Sequence, residues 1–324
     1  MGRLKKLAGK LLLRLIMILM AVAPGRAVVN AIYERSGWRF RNFIFLGLKQ
    51  RGWLPKASFR WKVRLLNGKT ALIPVKAGDE LTWELALLYL WHDIGLSKLE
   101  QVLASYYRKL SYADVGANLG TRSLLMMSEG NACTLFEPNA ELLGITREIK
   151  SINGYDNATI EELGVSDETG TTAFYVADNP YLSSLDADSA AEQSDVTRVE
   201  IQTVTLDDYF KSDLPAPAYI KVDVEGCELK VLHGAAATLA KTKPDLVLEI
   251  FPDDPTKGDI YSLLNGLGYS CYEVVVDIGR PLNDLQGCLG KPLTAEDFAQ
   301  ADKLNFFFSA NAGLQAHLND QGIC

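Results

Sequence analysis

The sequence predicts an α/β protein with a mainly parallel sheet covered by helices on both faces, preceded by a basic helical extension. Three observations predict it. From about residue 111, short apolar runs alternate with helical stretches. The polar residues of those runs fall at their carboxyl ends, where parallel sheets of this kind bind ligands. Charge is also divided: residues 1–69 hold 16 Lys and Arg against one acid, Glu34, while residues 70–324 hold 17 basic and 39 acidic residues. Such a split points to an anionic surface as partner of the N-terminal part. With 324 residues and 48% hydrophobic content, one large domain plus an appendage is the expected division.

"MGRLKKLAGKLLLRLIMILMAVAPG" reads as a helix, with Leu4, Leu7, Leu11, Leu15 and Leu19 in one apolar stripe and Arg3, Lys6, Lys10 and Arg14 in a basic stripe beside it. Pro24 and Gly25 stop it. Its longest apolar run, Leu15 to Ala23, is nine residues. That is well under the roughly 18 to 20 needed to span a bilayer. Trp38, Phe40, Phe43, Phe45 and Trp53 then interleave with Arg35, Arg39, Arg41, Lys49 and Arg51, a mixture suited to a lipid headgroup layer. The expectation is attachment of residues 1–55 to an anionic membrane surface. The competing readings are a helical cap with a solvated basic face, a nucleic-acid arm, and a secretory signal, which Pro24 directly after "AVA" disfavours.

"FRWKVRLLNGKTALIPV" predicts a hairpin turned at Asn67-Gly68, and residues 80–110 read as largely helical. "YADVGA", "CTLFEP", "ATIEELGVSD", "AYIKVDVEG" and "DLVLEIF" are strand candidates, with helices expected at 121–129, 139–153 and 227–241. The expected organisation is a membrane-associating extension over 1–58, a hairpin and helical lead-in over 59–110, the main domain over 111–310, and a tail over 311–324. Five scattered cysteines, with no CxxC spacing, suggest a reducing compartment and mostly buried thiols.

Asp114 ends the first of the parallel strands, and Gly116, Ala117, Asn118 and Gly120 form a tight turn after it. Small residues there predict a crevice in which backbone amides approach a ligand, with Asp114 an acceptor for a cationic group. Glu137 ends the next strand, 17 residues beyond Gly120, placed to accept hydrogen bonds from ribose hydroxyls. Asn118 stands where a dinucleotide fingerprint requires glycine, and no GxxxxGK[ST] is present, so neither NAD nor a phosphate-cradling loop is supported.

"DVGANLG" resembles the first motif of class I S-adenosylmethionine-dependent methyltransferases. "YIKVDVEGCELKVLHGA" (219–235) resembles the signature of the FkbM family within that class, and "FEPN", "GVSDETG", "SSL", "TLDDYF" and "LEIF" occur in the family's order. The match covers roughly residues 110–252. It implies a Rossmann-like class I fold with antiparallel end strands, formed by "EVVVDIGRPLNDLQG" and "KLNFFFSANA". S-adenosylmethionine is the implied donor, and the implied acceptor is a hydroxyl of a sugar, glycolipid or secondary metabolite. By the same resemblance Ser166 and Asp167 lie on the adenine side. A cofactor made in the cytosol places the chain there, on the inner face of a membrane.

Lys221, Asp223 and Glu225 alternate, which predicts that they share one face of a strand. Asp223 or Glu225 is expected to face the acceptor hydroxyl as base or orienting group, with Lys221 balancing charge and Glu249 beside them on the neighbouring strand. Such a cluster could hold Mg²⁺, although no spacing demands a metal. Ser183 and Ser184 fall in a polar loop, 178–198, suited to covering a substrate, and His233 is expected to pack. Two other function classes fit: a non-catalytic cofactor-binding scaffold, and an RNA methyltransferase using the basic arm, though no RNA-binding signature accompanies that arm.

Overall fold

The computed structural model describes residues 2–36, 38–88, 94–177, 183–185, 196–211, 215–275 and 284–323; of residues 2–6, 34 and 38 only the backbone is described. The chain divides into two compact units, Met1–Ile94 with Ser151–Asn153, and Gly95–Lys150 with Gly154–Cys324.

The first unit begins with three helices, α1 (Gly2–Met20), α2 (Ala23–Glu34) and α3 (Trp38–Lys49). Pro24 ends nothing here; it sits in the first turn of α2, where its missing N–H has no helical partner to lose. Leu13, Ile16 and Met20 of α1 are buried with Val29 and Tyr33 of α2 and Ile44, Phe45 and Leu48 of α3. The hairpin β1 (Phe59–Arg64) and β2 (Thr70–Val75) turns as expected, with Asn67 Oδ1 accepting from the Lys69 amide at 2.9 Å. The hairpin belongs with these helices rather than with the main domain, because aromatic rings tie them together. Trp61 meets Tyr33 edge-on at 6.0 Å and Trp83, of α4 (Glu80–Leu88), also at 6.0 Å.

The second unit holds an eight-stranded sheet. Its strands are β3 (Ser111–Val115), β4 (Ala132–Phe136), β5 (Ala158–Glu161), β9 (Tyr219–Val222), β10 (Asp245–Glu249), β11 (Ser270–Val274), β12 (Leu289–Pro292) and β13 (Asn305–Ser309). The order is β12-β11-β13-β10-β9-β3-β4-β5, with β13 antiparallel between β10 and β11 and the strands from β10 to β5 parallel. This is the class I methyltransferase arrangement. The chain runs outward from β3 to β5, returns, and runs outward again from β9 to β10, so the strand order reverses between β3 and β9. A crevice opens at such a switch point, beyond the carboxyl ends of the strands. Val115, Ile220, Val222, Leu246 and Leu248 belong to one buried core cluster of the sheet, and the last helix, Ala312–Asp320, buries Leu314 and Leu318 and contacts β13.

Several elements depart from the sequence reading. "ATIEELGVSD" is two strands in two sheets: β5, then β6 (Gly164–Val165), which joins β7 (Gly170–Ala177) and β8 (Val196–Val204) in a three-stranded sheet of order β6-β8-β7. Strand β8 therefore takes over the end of the expected 178–198 loop, of which 178–182 and 186–195 lie outside the described residues. The expected helix 227–241 is broken at Gly234-Ala235 into Glu228–His233 and Ala236–Thr242. A side chain at Gly234 would meet the Ser166 carbonyl oxygen at 2.0 Å, so the break lets that loop pass.

Candidate active site

Acidic side chains stand at or just past the carboxyl ends of four adjacent parallel strands: Glu137 after β4, Asp114 in β3, Asp223 after β9 and Glu249 closing β10. Asp114 and Lys221 are register neighbours on β3 and β9. Lys221 Nζ lies 2.8 Å from Asp223 Oδ2 and 3.6 Å from Asp114 Oδ1, with the lysine 3% and Asp114 0% exposed. Burial alone would lower the Lys221 pKa; the charges of Asp223, Asp114 and Glu249 outweigh it and hold the ammonium form. Asp114 faces inward, its Oδ2 accepting from Ser123 Oγ at 2.6 Å. It thus anchors Lys221 and Ser123 from behind the crevice.

The turn after β3 corrects the expectation of free amides. Gly116 and Ala117 N–H both donate to the Phe136 carbonyl, at 3.0 and 2.9 Å, and Gly120 N–H donates to Ala117 at 2.8 Å. Asn118 N–H donates to Glu137 Oε2 at 2.9 Å, and Leu119 N–H to Asn118 Oδ1 at 2.8 Å. No donor is left over for a phosphate. What crowds the turn is the protein itself. A Cβ at Gly116 (φ +77°) would lie 1.8 Å from the Asp223 carbonyl oxygen, and one at Gly120 (φ +67°) 2.6 Å from the Thr146 methyl.

Glu137 is buried, its oxygens taken from below by the amides of Asn118 and Asn139, at 2.9 and 2.8 Å. Burial pushes its pKa up to about 7 against those two bonds, with Asp223 and Asp114 adding to the rise.

Glu225 is not on the strand. β9 ends at Val222, and Glu225 sits in a turn at φ +55°, ahead of Gly226 at +93°. Glu228, unremarked in the sequence, caps this turn: its Oε1 accepts from the amides of Val224 and Gly226 at 3.1 and 3.3 Å. Ser184 pairs with Tyr175 of β7 and donates its Oγ to the Glu225 carbonyl at 2.8 Å. Ser166 and Asp167 follow β6 of the smaller sheet, with Ser166 Oγ donating to Asp167 Oδ1 at 2.9 Å. His233, expected to pack, is exposed at the end of its short helix. The missed contributors share a trait: Ser123, Asn139 and Glu228 act on neighbouring groups rather than on a ligand, and Asn139 and Glu228, both at helix starts, carry a sequence signal as caps, Asn139 Oδ1 accepting from the Glu141 amide at 3.1 Å.

Among the described residues no three His, Cys, Asp or Glu side chains come together to hold a metal ion. This corrects the Mg²⁺ reading: Lys221 already supplies the cation between Asp114 and Asp223. Cys133 and Cys271 are buried free thiols, and Cys227 and Cys288 are buried as well.

Residues 114–271 match the family model of the methyltransferase FkbM domain. Over that span, just under half of its length, the chain is similar to the FkbM methyltransferases. A hexuronic acid methyltransferase of Haloferax volcanii is 30% identical over 149 residues, 44% of this chain and 59% of that protein, so the chain spans well under two thirds of that relative's length. Solved structures that overlap the chain include an FkbM methyltransferase from Methylobacillus flagellatus (16% identity, 71% of this chain, 54% of that one, TM-score 0.39). A second is an S-adenosylmethionine-dependent methyltransferase from Agrobacterium tumefaciens (10% identity, 78% of this chain, 70% of that one, TM-score 0.41).

Proposed function

We propose that this protein is a methyltransferase of the FkbM kind that transfers a methyl group from S-adenosylmethionine to a hydroxyl of a sugar, glycolipid or related metabolite, working at an anionic membrane surface. The observation that carries the reading is the pairing of an acid-lined switch point with a turn whose amides are all taken. A phosphate-bearing cofactor would find carboxylates there and no backbone amide of residues 116–120 left to bind it; a cationic sulfonium carried on a ribose would find acceptors. Glu137 would take the ribose hydroxyls, the Gly116–Gly120 turn would border the methionine half, and Ser166 and Asp167 the adenine. The bound cofactor supplies an electrophilic methyl, so the protein's own work is to hold the acceptor oxygen in line with it and receive a proton. Asp223 and Glu225 would face that oxygen, with Lys221 and Glu249 setting the local charge.

The hexuronic acid relative supports a sugar acceptor. Incubation with methyl-labelled cofactor and a panel of hexuronic-acid and neutral glycans, glycolipids and RNA should label an ether-stable glycan or glycolipid product. Label in RNA alone would replace the reading with RNA methylation, and binding without transfer to any class would favour the scaffold alternative.

The membrane part rests on the first unit. No described helix is long and apolar enough to cross a membrane. Yet ten of the twelve large hydrophobic side chains exposed among the described residues lie between Leu7 and Leu46. Helix α1 is two-faced: Leu13, Ile16 and Met20 pack inward, while Leu7, Leu11, Leu15 and Ile18 face out, flanked by exposed Lys10 and Arg14. Apolar side chains beside cations suit insertion into an anionic headgroup layer. The expected aromatic belt contributes less, since Phe45 is buried and Arg41 is spent on the Tyr33 and Ser36 carbonyls; of Phe43, Phe45 and the half-buried Phe40 and Trp53, only Phe43 is well exposed.

A further inference from the structure

Asp223 and Glu225 are two residues apart, and the structure treats their carboxylates oppositely. Asp223 is neutralised by Lys221 at 2.8 Å. No described residue donates to or pairs with the Glu225 carboxylate, although it is largely buried. Its backbone occupies the left-handed region, which costs a non-glycine residue roughly 1 to 2 kcal/mol. Three bonds hold that conformation: Ser184 Oγ on the Glu225 carbonyl, and the Val224 and Gly226 amides on Glu228 Oε1. A strained turn clamped from both sides, around a side chain that bonds to no described residue, is built to present that side chain to a ligand. Glu228 Oε2 is likewise buried without a partner.

We infer that Glu225 trades its proton against the charge of the cofactor: it is protonated in the free protein, ionised while a sulfonium occupies the crevice, and reprotonated by the acceptor hydroxyl. The inference rests on the S-adenosylmethionine reading above. In the transfer, the acceptor oxygen bonds to the methyl carbon as the sulfur–carbon bond breaks, and that electron pair stays on sulfur. The hydroxyl proton passes to Glu225. One positive and one negative charge disappear together, so no net charge is stranded in a buried site. The groups facing Glu225 fit this cycle: Asp223 and Lys221 from the end of β9, and Glu228 from the helix that follows. Burial first, then the charges of Asp223 and Glu228, push its pKa up to about 8, against a lowering by Lys221.

The test compares S-adenosylmethionine, which carries the sulfonium, with S-adenosylhomocysteine, which does not. The full chain is titrated with each by calorimetry near pH 7.5, in phosphate and in Tris, whose ionisation enthalpies differ. Groups sensed by both ligands, such as Glu137, cancel in the difference. S-adenosylmethionine should release roughly half a proton or more beyond S-adenosylhomocysteine. In Glu225→Gln the excess should vanish while S-adenosylhomocysteine binds with unchanged affinity; Glu228→Gln should keep the excess, and Glu225→Gly, which suits the left-handed backbone and also removes the carboxylate, serves if the glutamine variant does not fold. Equal release by both ligands, or an excess that survives Glu225→Gln, overturns the inference. Failure of a folded protein to bind either ligand would instead overturn the cofactor reading beneath it.

Discussion

The two units place apolar and charged side chains in opposite ways. In the first, leucines and isoleucines stand in solvent among cations; in the second, a lysine and several carboxylates are buried at the ends of a sheet. Each arrangement costs free energy in isolation, and each is explained by a partner. The buried charges find theirs within the fold. The exposed apolar face finds none in its own unit, which is why it is read as a docking surface. Substitutions should therefore act on folding in the second unit and on association in the first.

The sharpest way to break that contrast is at the contact between the two signature turns. Gly116→Ala forces a Cβ onto the Asp223 carbonyl in a left-handed residue, and should cost more than about 3 kcal/mol. Gly154→Ala, also left-handed but with open space around its Cβ position, should cost about 1 kcal/mol, as read by urea denaturation. Equal losses would mean that strain alone, not the Asp223 contact, governs both. Next in size, Lys221→Met strands Asp114 beneath the crevice, and a loss of about 3 to 5 kcal/mol is expected from the same denaturation curves. A stable Lys221→Met protein would show that Asp114 is held by Ser123 alone.

In the first unit, the double variant Leu11→Ser, Leu15→Ser should leave stability nearly unchanged. Its binding to vesicles of mixed phosphatidylglycerol and phosphatidylcholine, measured by cosedimentation, should fall about a hundredfold, as expected for roughly 1.5 kcal/mol per inserted leucine. Unchanged binding, or binding by neither parent nor variant, would turn the face over to another partner.

Much of this was legible in the sequence, and the exceptions have physical causes. Strands β3, β4, β9 and β10 are short apolar runs ending in acids, and a buried parallel strand permits little else. The pairing of Lys221 with Asp223 follows from alternation, but its tie to Asp114 needs the register between β3 and β9, a long-range fact. The smaller sheet was missed because β8 is exposed along most of its length, so no apolar alternation announces it. Glu225 was placed on the strand because nothing in a glutamate signals a left-handed residue; only the caps from Glu228 and Ser184 explain it. The two faces of α1 were merged because a helix apolar nearly all round does not declare which side packs.

A further expected effect is on pH. Glu225, Glu137 and Glu228 have pKa values pushed up to about 8, 7 and 7 from an ordinary value of 4.5, in each case chiefly by burial. Between pH 4.5 and 8 the folded protein therefore binds more protons than the unfolded chain, and stability falls as pH rises, by up to about 1.4 kcal/mol per pH unit for each carboxylate in its window. The urea midpoint measured across that range should decline, and a flat or rising midpoint would show that these carboxylates are ionised throughout.

The central claim is that the acid-lined crevice at the switch point between β3 and β9 binds S-adenosylmethionine through Glu137. Calorimetric titration of the full chain and of its Glu137→Ala variant with S-adenosylhomocysteine tests it most directly. Saturable binding by the parent, weakened at least tenfold in a variant that remains folded, is the predicted result. An affinity that Glu137→Ala leaves unchanged, or no binding by a folded parent, would contradict it.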